Sequence, residues 1–223
     1  MRGFPPKRIL ITAGPTREML DPVRFLSNLS TGKMGYTLAQ MAQRRKWKVT
    51  LISGPTALRP PQKVKFIPVT SAKEMKLACE KYFPRHDVLV MTAAVCDFTA
   101  GRPRRQKIHR QSTKRLRLKQ TEDIVAGLAR RKGHRLVVGF CLETEDWIRR
   151  AFLKLKRKRL DGMVANPYHV RHNPFGDRKI TVAFMDPGGR TTFLRNQSKA
   201  GVARRLLDWL EDSEKFISER TKK

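Results

Sequence analysis

The chain has 223 residues, 39% hydrophobic and 30% charged, enough for one sizeable globular domain with a real core rather than a disordered polymer. Its longest apolar stretches, Val88–Val95 and Leu136–Leu142, fall far short of the roughly 18 residues a membrane span needs, so no membrane association is expected. Lys and Arg number 49 against 19 Asp and Glu, a net charge of +30. A field of that sign draws nucleic acid, nucleotides and phosphorylated substrates, or belongs to a generally basic surface; it says nothing of fold. No apolar leader precedes the first strand, so a secretory signal is not expected. The three cysteines (Cys79, Cys96, Cys141) lack C-x-x-C spacing, which argues against zinc or disulfide frameworks and for a cytoplasmic location.

Strand-like and helix-like segments alternate. Arg8–Ala13 reads as a strand ending at Gly14-Pro15, and Gly32–Lys46 as a helix with Met34, Leu38, Met41 and Ala42 on one face. Lys48–Ser53 and Val64–Val69 are the next strands. Ser71 is placed to cap a helix over Ala72–Phe83, with Glu74 completing a capping box. Asp87–Val95 is apolar on consecutive positions, as suits a parallel strand covered on both faces. The pattern breaks at Asp97–Gln120: from Gly101 to Gln120 there are nine Lys/Arg and no acid. This stretch is expected to be a loop or β-flap, with Arg115–Lys119 a candidate strand.

Thr121 is expected to cap a helix running to Arg131, followed by a strand at Arg135–Phe140, a helix at Glu145–Leu160 and a strand at Asp161–Ala165. Ile180–Met185 and Thr191–Leu194 flank Asp186-Pro-Gly-Gly as a hairpin. Ser198–Glu211 reads as the closing helix, and the polar tail Asp212–Lys223 is expected to fray. Strands separated by helices imply βαβ units and right-handed crossovers. The expected fold is a single Rossmann-like α/β domain over 1–223: a mostly parallel sheet with helices on both faces, a basic flap and a C-terminal β-hairpin.

In such sheets ligands bind beyond the carboxyl ends of the strands. The loop after the first strand is neither a GxGxxG fingerprint nor a Walker A loop. Ser30-Thr-Gly-Lys-Met-Gly35 nevertheless opens a helix, where free N–H groups suit a phosphate and where Ser30 or Thr31 could equally be ordinary caps. Asp97 ends the fourth strand segment and could hold a polar ligand or cap a turn. Glu143 could simply sit near a helix dipole. Trp147, Ala151, Lys154 and Lys158 share a helical stripe, so Lys154 is either a semi-buried electrostatic catalyst or a snorkelling surface lysine.

Taken together, Ile11-Thr-Ala-Gly-Pro-Thr-Arg-Glu18 and Asp21-Pro-Val-Arg-Phe-Leu-Ser-Asn-Leu-Ser-Thr-Gly-Lys-Met-Gly35 closely resemble the phosphopantothenate–cysteine ligase family of coenzyme A biosynthesis. Ser53-Gly-Pro-Thr56, Ala93–Phe98, Lys107-Ile108, Gly139–Thr144, Lys154-Leu-x-x-Lys-x-x-Asp161 and Val164-Ala-Asn166 follow in the family's order. The resemblance spans about 8–210. It implies a ligase that joins 4′-phosphopantothenate and cysteine through an acyl-nucleotide, with CTP preferred because the Ser30–Gly35 block is of bacterial type. Only seven residues precede the first strand, so a stand-alone ligase with no flavin is expected. Magnesium is expected to arrive with CTP, with no protein ligand assigned.

The resemblance also implies roles. Asn28 would turn over the acyl-nucleotide by donating to an acyl oxygen. Lys154 would offset charge on the α-phosphate, with Lys158 beside it. Gly139, Phe140, Cys141 and Leu142 would hold the cytosine and ribose, Phe175 would touch the base, and Lys199 would bind the triphosphate. Arg24, Asn28, Ser30, Thr31, Gly32, Lys33, Asp97 and Lys107 would bind the other substrates. Cys141 and Leu142 replace two alanines of the family pattern, and Lys107-Ile-His-Arg110 replaces Lys-Ile-Lys-Lys. The flap around Lys107 implies a homodimer whose partner helps close the site. Two alternatives stand beside this reading. One is a degenerate ligase fold that binds nucleic acid through the Arg102–Lys119 and Arg149–Arg159 clusters. The other is an NAD(P)-dependent reductase, opposed by the missing GxGxxG.

Overall fold

The computed structural model describes residues 7–109, 115–169 and 173–220, the last eight of these by backbone only. In chain order the elements are β1 (Arg8–Ala13), β2 (Arg17–Met19), β3 (Phe25–Ser27), α1 (Lys33–Arg44), β4 (Lys48–Ser53), β5 (Lys65–Pro68), α2 (Ala72–Tyr82), a 3-10 turn (Phe83–Arg85), β6 (Val88–Met91), β7 (Phe98–Ala100), β8 (Leu118–Gln120), α3 (Ile124–Ala129), β9 (Leu136–Glu143), α4 (Trp147–Arg157), β10 (Gly162–Pro167), β11 (Ile180–Met185), β12 (Thr191–Gln197) and α5 (Lys199–Arg220).

Eight strands form one sheet in the order β12-β11-β10-β9-β6-β1-β4-β5. The six from β5 to β10 pair in parallel; β11 and β12 extend the edge as an antiparallel hairpin. This is the mostly parallel, Rossmann-like arrangement expected. Alternation along β1 feeds two cores: Ile9, Ile11 and Ala13 pack with α1 and α5 on one face, and Leu10 packs with α2, α3 and α4 on the other.

Several local expectations change. Ser71 does cap α2 through the Glu74 N–H, but Glu74 reaches back to the Thr70 N–H rather than to Ser71. Thr121 does not cap α3. Its hydroxyl donates to the Cys96 carbonyl, and Asp123 caps through the Ala126 N–H. The described part of the flap is a ribbon of β7 and β8, and a second ribbon of β2 and β3 stands in the connection after β1. The closing helix continues through the polar tail to Arg220. Among the described residues no helix is long and apolar enough to cross a membrane.

At the amino-terminal ends of the strands, His86 is buried. Its Nδ1 faces the Tyr82 carbonyl at 2.7 Å and so must carry the proton; Nε2 then accepts from Thr50 Oγ1 at 2.9 Å. Burial pushes its pKa below the ordinary 6.5. The unfolded chain therefore takes up a proton near that value while the folded chain does not. Stability is expected to be full above pH 6.5 and to fall as the pH drops from there through the folded-state pKa. Urea midpoints measured at pH 7.5 and 5.5 check this, and His86→Gln should flatten the difference.

Candidate functional site

The strand order reverses between β1 and β6, the position at which doubly wound sheets form a crevice at the carboxyl ends of their strands. Past β1 the chain stays beside β6: Pro15 bridges Ala94, and the Ala94 N–H donates to the Gly14 carbonyl at 2.9 Å. β3 then delivers Asn28 to the same place. The Asn28 amide nitrogen donates to the carbonyls of Ala94 at 3.1 Å and Val95 at 3.2 Å. That differs from the expected donation to an acyl oxygen. With the nitrogen committed to backbone, the acceptor Oδ1 is the atom left for a ligand.

Across the crevice mouth, Gly32 begins α1 with φ 77° and no side-chain cap. Neither Ser30 nor Thr31 is the cap. Ser30 Oγ accepts from the Gly32 N–H at 3.2 Å, and Thr31 Oγ1 accepts from the Gly176 N–H at 3.4 Å. The first-turn N–H groups of α1 thus keep their capacity for an anion. Lys33 pairs with Asp177 at 2.7 Å, and Lys33 holds the Asp177 carboxyl below its ordinary range. Phe175 packs its ring 6.4 Å from that of Tyr168. Lys199 is buried and donates to the Arg178 carbonyl at 3.1 Å. Burial depresses its pKa.

β9 forms the next wall. Gly139 is buried, Phe140 and Cys141 are half-buried and Leu142 is exposed. Burial, then the Glu143 charge, pushes the Cys141 thiol up to about 12, which leaves it inert as a nucleophile. Glu143 is not a helix-start residue. It ends β9, is buried, and pairs with Lys154 at 2.6 Å. Lys158 pairs with Asp123 at 3.0 Å. Lys154 and Lys158 are therefore held by fixed carboxylates rather than trailing in solvent. Asp97 is exposed and contributes its backbone carbonyl to the Thr121 N–H.

Arg24 lies between the β2–β3 turn and the flap. Its Nε donates to Asp21 Oδ2 at 2.9 Å and its Nη2 to the Ile108 carbonyl, while the Ile108 N–H donates to Asp21 Oδ2 at 3.1 Å. The Asp21–Arg24 pair clasps the flap beside exposed Lys107; Arg110 of that motif lies outside the described residues. Burial works to raise the Asp21 pKa, but the N–H groups of Ile108, Val23 and Arg24 and the Arg24 charge bring it to about 2.

Sequence reasoning missed Asp21, Asp123 and Asp177 and misread Glu143. The available signal was scarcity: few acids are present in so basic a chain, so each deserves a partner. Among the described residues no three His, Cys or acidic side chains gather as a metal site.

Fold and topology together define a doubly wound α/β protein whose strand order reverses between β1 and β6, with Asn28 anchored beside that reversal. The sequence matches the family described as "DNA/pantothenate metabolism flavoprotein C-terminal domain" over residues 4–213, and the chain belongs to that family. It is 40% identical to the coenzyme A biosynthesis bifunctional protein CoaBC of Bacillus subtilis (strain 168), over 96% of this chain and 53% of that protein. The chain thus spans about half the length of the curated relatives it matches. The crystal structure of a CoaBC C-terminal domain superposes with a TM-score of 0.79 at 35% identity, covering 96% of both chains. A complex of the Cab2 mutant H337A with phosphopantothenate-cysteine shares the fold at a TM-score of 0.81 and 18% identity, covering 97% of this chain and 89% of that one.

The flap clasp carries a prediction. A carboxylate with a depressed pKa supports the fold above its ordinary 3.8 and loses that support as the pH falls toward 2. Asp21→Asn should release the flap at neutral pH, read as faster amide exchange at Ile108 and tryptic cleavage within Arg102–Lys107, with β1, β4 and β6 protection unchanged.

Proposed function

We propose that the chain is a CTP-dependent ligase that joins 4′-phosphopantothenate to cysteine in coenzyme A biosynthesis, in the cytoplasm. The observation that carries this reading is the identity and fold shared with CoaBC across nearly the whole chain, with Asn28 anchored at the switch point. The family match favours the ligase over the nucleic-acid alternative.

The substrate carboxylate attacks the α-phosphorus of CTP, pyrophosphate leaves, and an acyl-cytidylate forms. The cysteine amine then attacks the acyl carbon, loses a proton and releases CMP. Lys154, Lys158 and Lys199 offset phosphate charge; the Glu143 and Asp123 pairs orient the first two and the Arg178 carbonyl the third. Gly139–Leu142 and Phe175 contact the nucleotide; Ser30, Thr31, Gly32 and Lys33 receive the anionic end of the pantothenate. Asn28 Oδ1 accepts from the attacking amine and orients it. A magnesium ion brought with CTP would offset phosphate charge, and no described side-chain cluster of this chain is assigned to hold it.

Asn28→Asp should still release pyrophosphate from CTP and phosphopantothenate but accumulate the acyl-cytidylate, while Lys154→Gln should lose pyrophosphate release as well. CTP should exceed ATP in the native protein. Full ligation by both variants would remove the assignment.

The two ribbons carry exposed apolar side chains: Val23, Phe25, Leu29, Phe98, Leu116 and Leu118. Exposed apolar surface is costly in water, and a second copy of the chain would cover these side chains as a two-fold dimer. Sedimentation should give a homodimer that Phe98→Asp with Leu118→Asp converts to monomers. The KM for phosphopantothenate should rise with salt, as the Debye length falls to roughly 8 Å near 0.15 M.

A further inference from the structure

Asp177 sits on an exposed loop, 82% accessible, with its carboxylate on the Lys33 ammonium. Three other features converge there. The neighbouring Gly176 N–H rests on Thr31 Oγ1. Lys199, 8% exposed, lies close enough that both Asp177 and Lys33 act on its charge. α1 starts beside them at Gly32 without a side-chain cap. One mobile-length, singly charged side chain therefore stands where two ammonium groups and an open helix start meet.

A buried ammonium is costly unless an anion or several acceptors attend it, and Lys199 makes one described hydrogen bond, to the Arg178 carbonyl. The site is richer in positive charge than one exposed carboxylate can match. An exposed Lys–Asp pair is worth little, so it exchanges readily. A phosphate carries more charge and more acceptor oxygens, and can address Lys33, Lys199 and the helix N–H groups at once. A singly charged carboxylate gains nothing from Lys33 that Asp177 does not already supply.

We propose that Asp177 is an internal counter-ion that sets the anion selectivity of this site: a phosphate or polyphosphate group displaces it from Lys33, and singly charged anions do not. The proposal rests on the ligase reading, in which that anion is a phosphate of a substrate. Asp177 is a specificity residue that acts through Lys33 and touches no reacting atom.

The test is calorimetric titration of inorganic tripolyphosphate and of acetate into the full chain as native, Asp177→Asn and Asp177→Glu at low salt. Asp177→Asn should bind tripolyphosphate about 1.5- to fivefold tighter, the range an exposed ion pair can supply, and should gain acetate binding. Asp177→Glu should keep the native values. In ligation assays the KM for a phosphate-bearing substrate should fall in Asp177→Asn while the KM for cysteine, which has no phosphate, stays put. Equal tripolyphosphate affinity in native and Asp177→Asn protein overturns the proposal even if the native protein ligates. A native protein that forms no phosphopantothenoylcysteine yet shows the affinity change keeps the counter-ion and overturns the ligase reading instead.

Discussion

α1 lies where it does because nothing projects from Gly35. A Cβ at that position would stand 2.4 Å from Thr92 Oγ1 and 2.6 Å from Ala13 Cβ, so the helix backbone rests directly on β1 and on the segment that follows β6. The turn after β4 is equally close, since a Cβ on Gly54 would lie 1.8 Å from the Pro15 carbonyl oxygen. These approaches draw the first turn of α1, the end of β1 and the Ala94–Val95 carbonyls into one small volume. The crevice exists because of them. Moving α1 outward by a methyl group would carry Gly32 and Lys33 away from Asn28 and its acceptors.

Around the sheet's carboxyl ends and the flap the scarce acids act as fixtures. Glu143 holds Lys154, Asp123 holds Lys158 while also capping α3, and Asp21 holds Arg24. Exposed ion pairs contribute little to stability, so their effect here is directional: long, flexible cations are given one orientation. Glu143 differs because it is buried. A buried carboxylate without its lysine would be strongly unfavourable, which ties the position of Lys154 to the integrity of the end of β9.

The sequence made the parallel strands easy to read, because β1, β4 and β6 are buried on both faces and so are apolar at consecutive positions. The helical stripes were legible for the same reason, with Ala151 and Leu155 of α4 turned into the core. The three-residue strands β2 and β3 are too short to show any period. Arg24 illustrates the harder limit. Its position in the Asp21–Gly35 block is visible in sequence, but its partner Ile108 lies 84 residues away, and local pattern carries no information about such a pairing. Asp177 was obscure on the same ground, since its partner Lys33 is far away in the chain. Asn28 was legible as a residue but not as an orientation, since only the backbone around Ala94 decides which end of its amide is committed.

The β2–β3 ribbon has two ends, and each is fastened to something different. Its turn, at Asp21–Arg24, grips Ile108 of the flap, and its far strand leads straight into Asn28, which is pinned to the end of β6. The ribbon thus joins the described part of the flap to the sheet. The flap and Asn28 are thereby mechanically linked although they are about 80 residues apart in the chain. Turn and flap can drift in sequence only as a matched pair, because a change in one is felt at the amide that the other helps to hold.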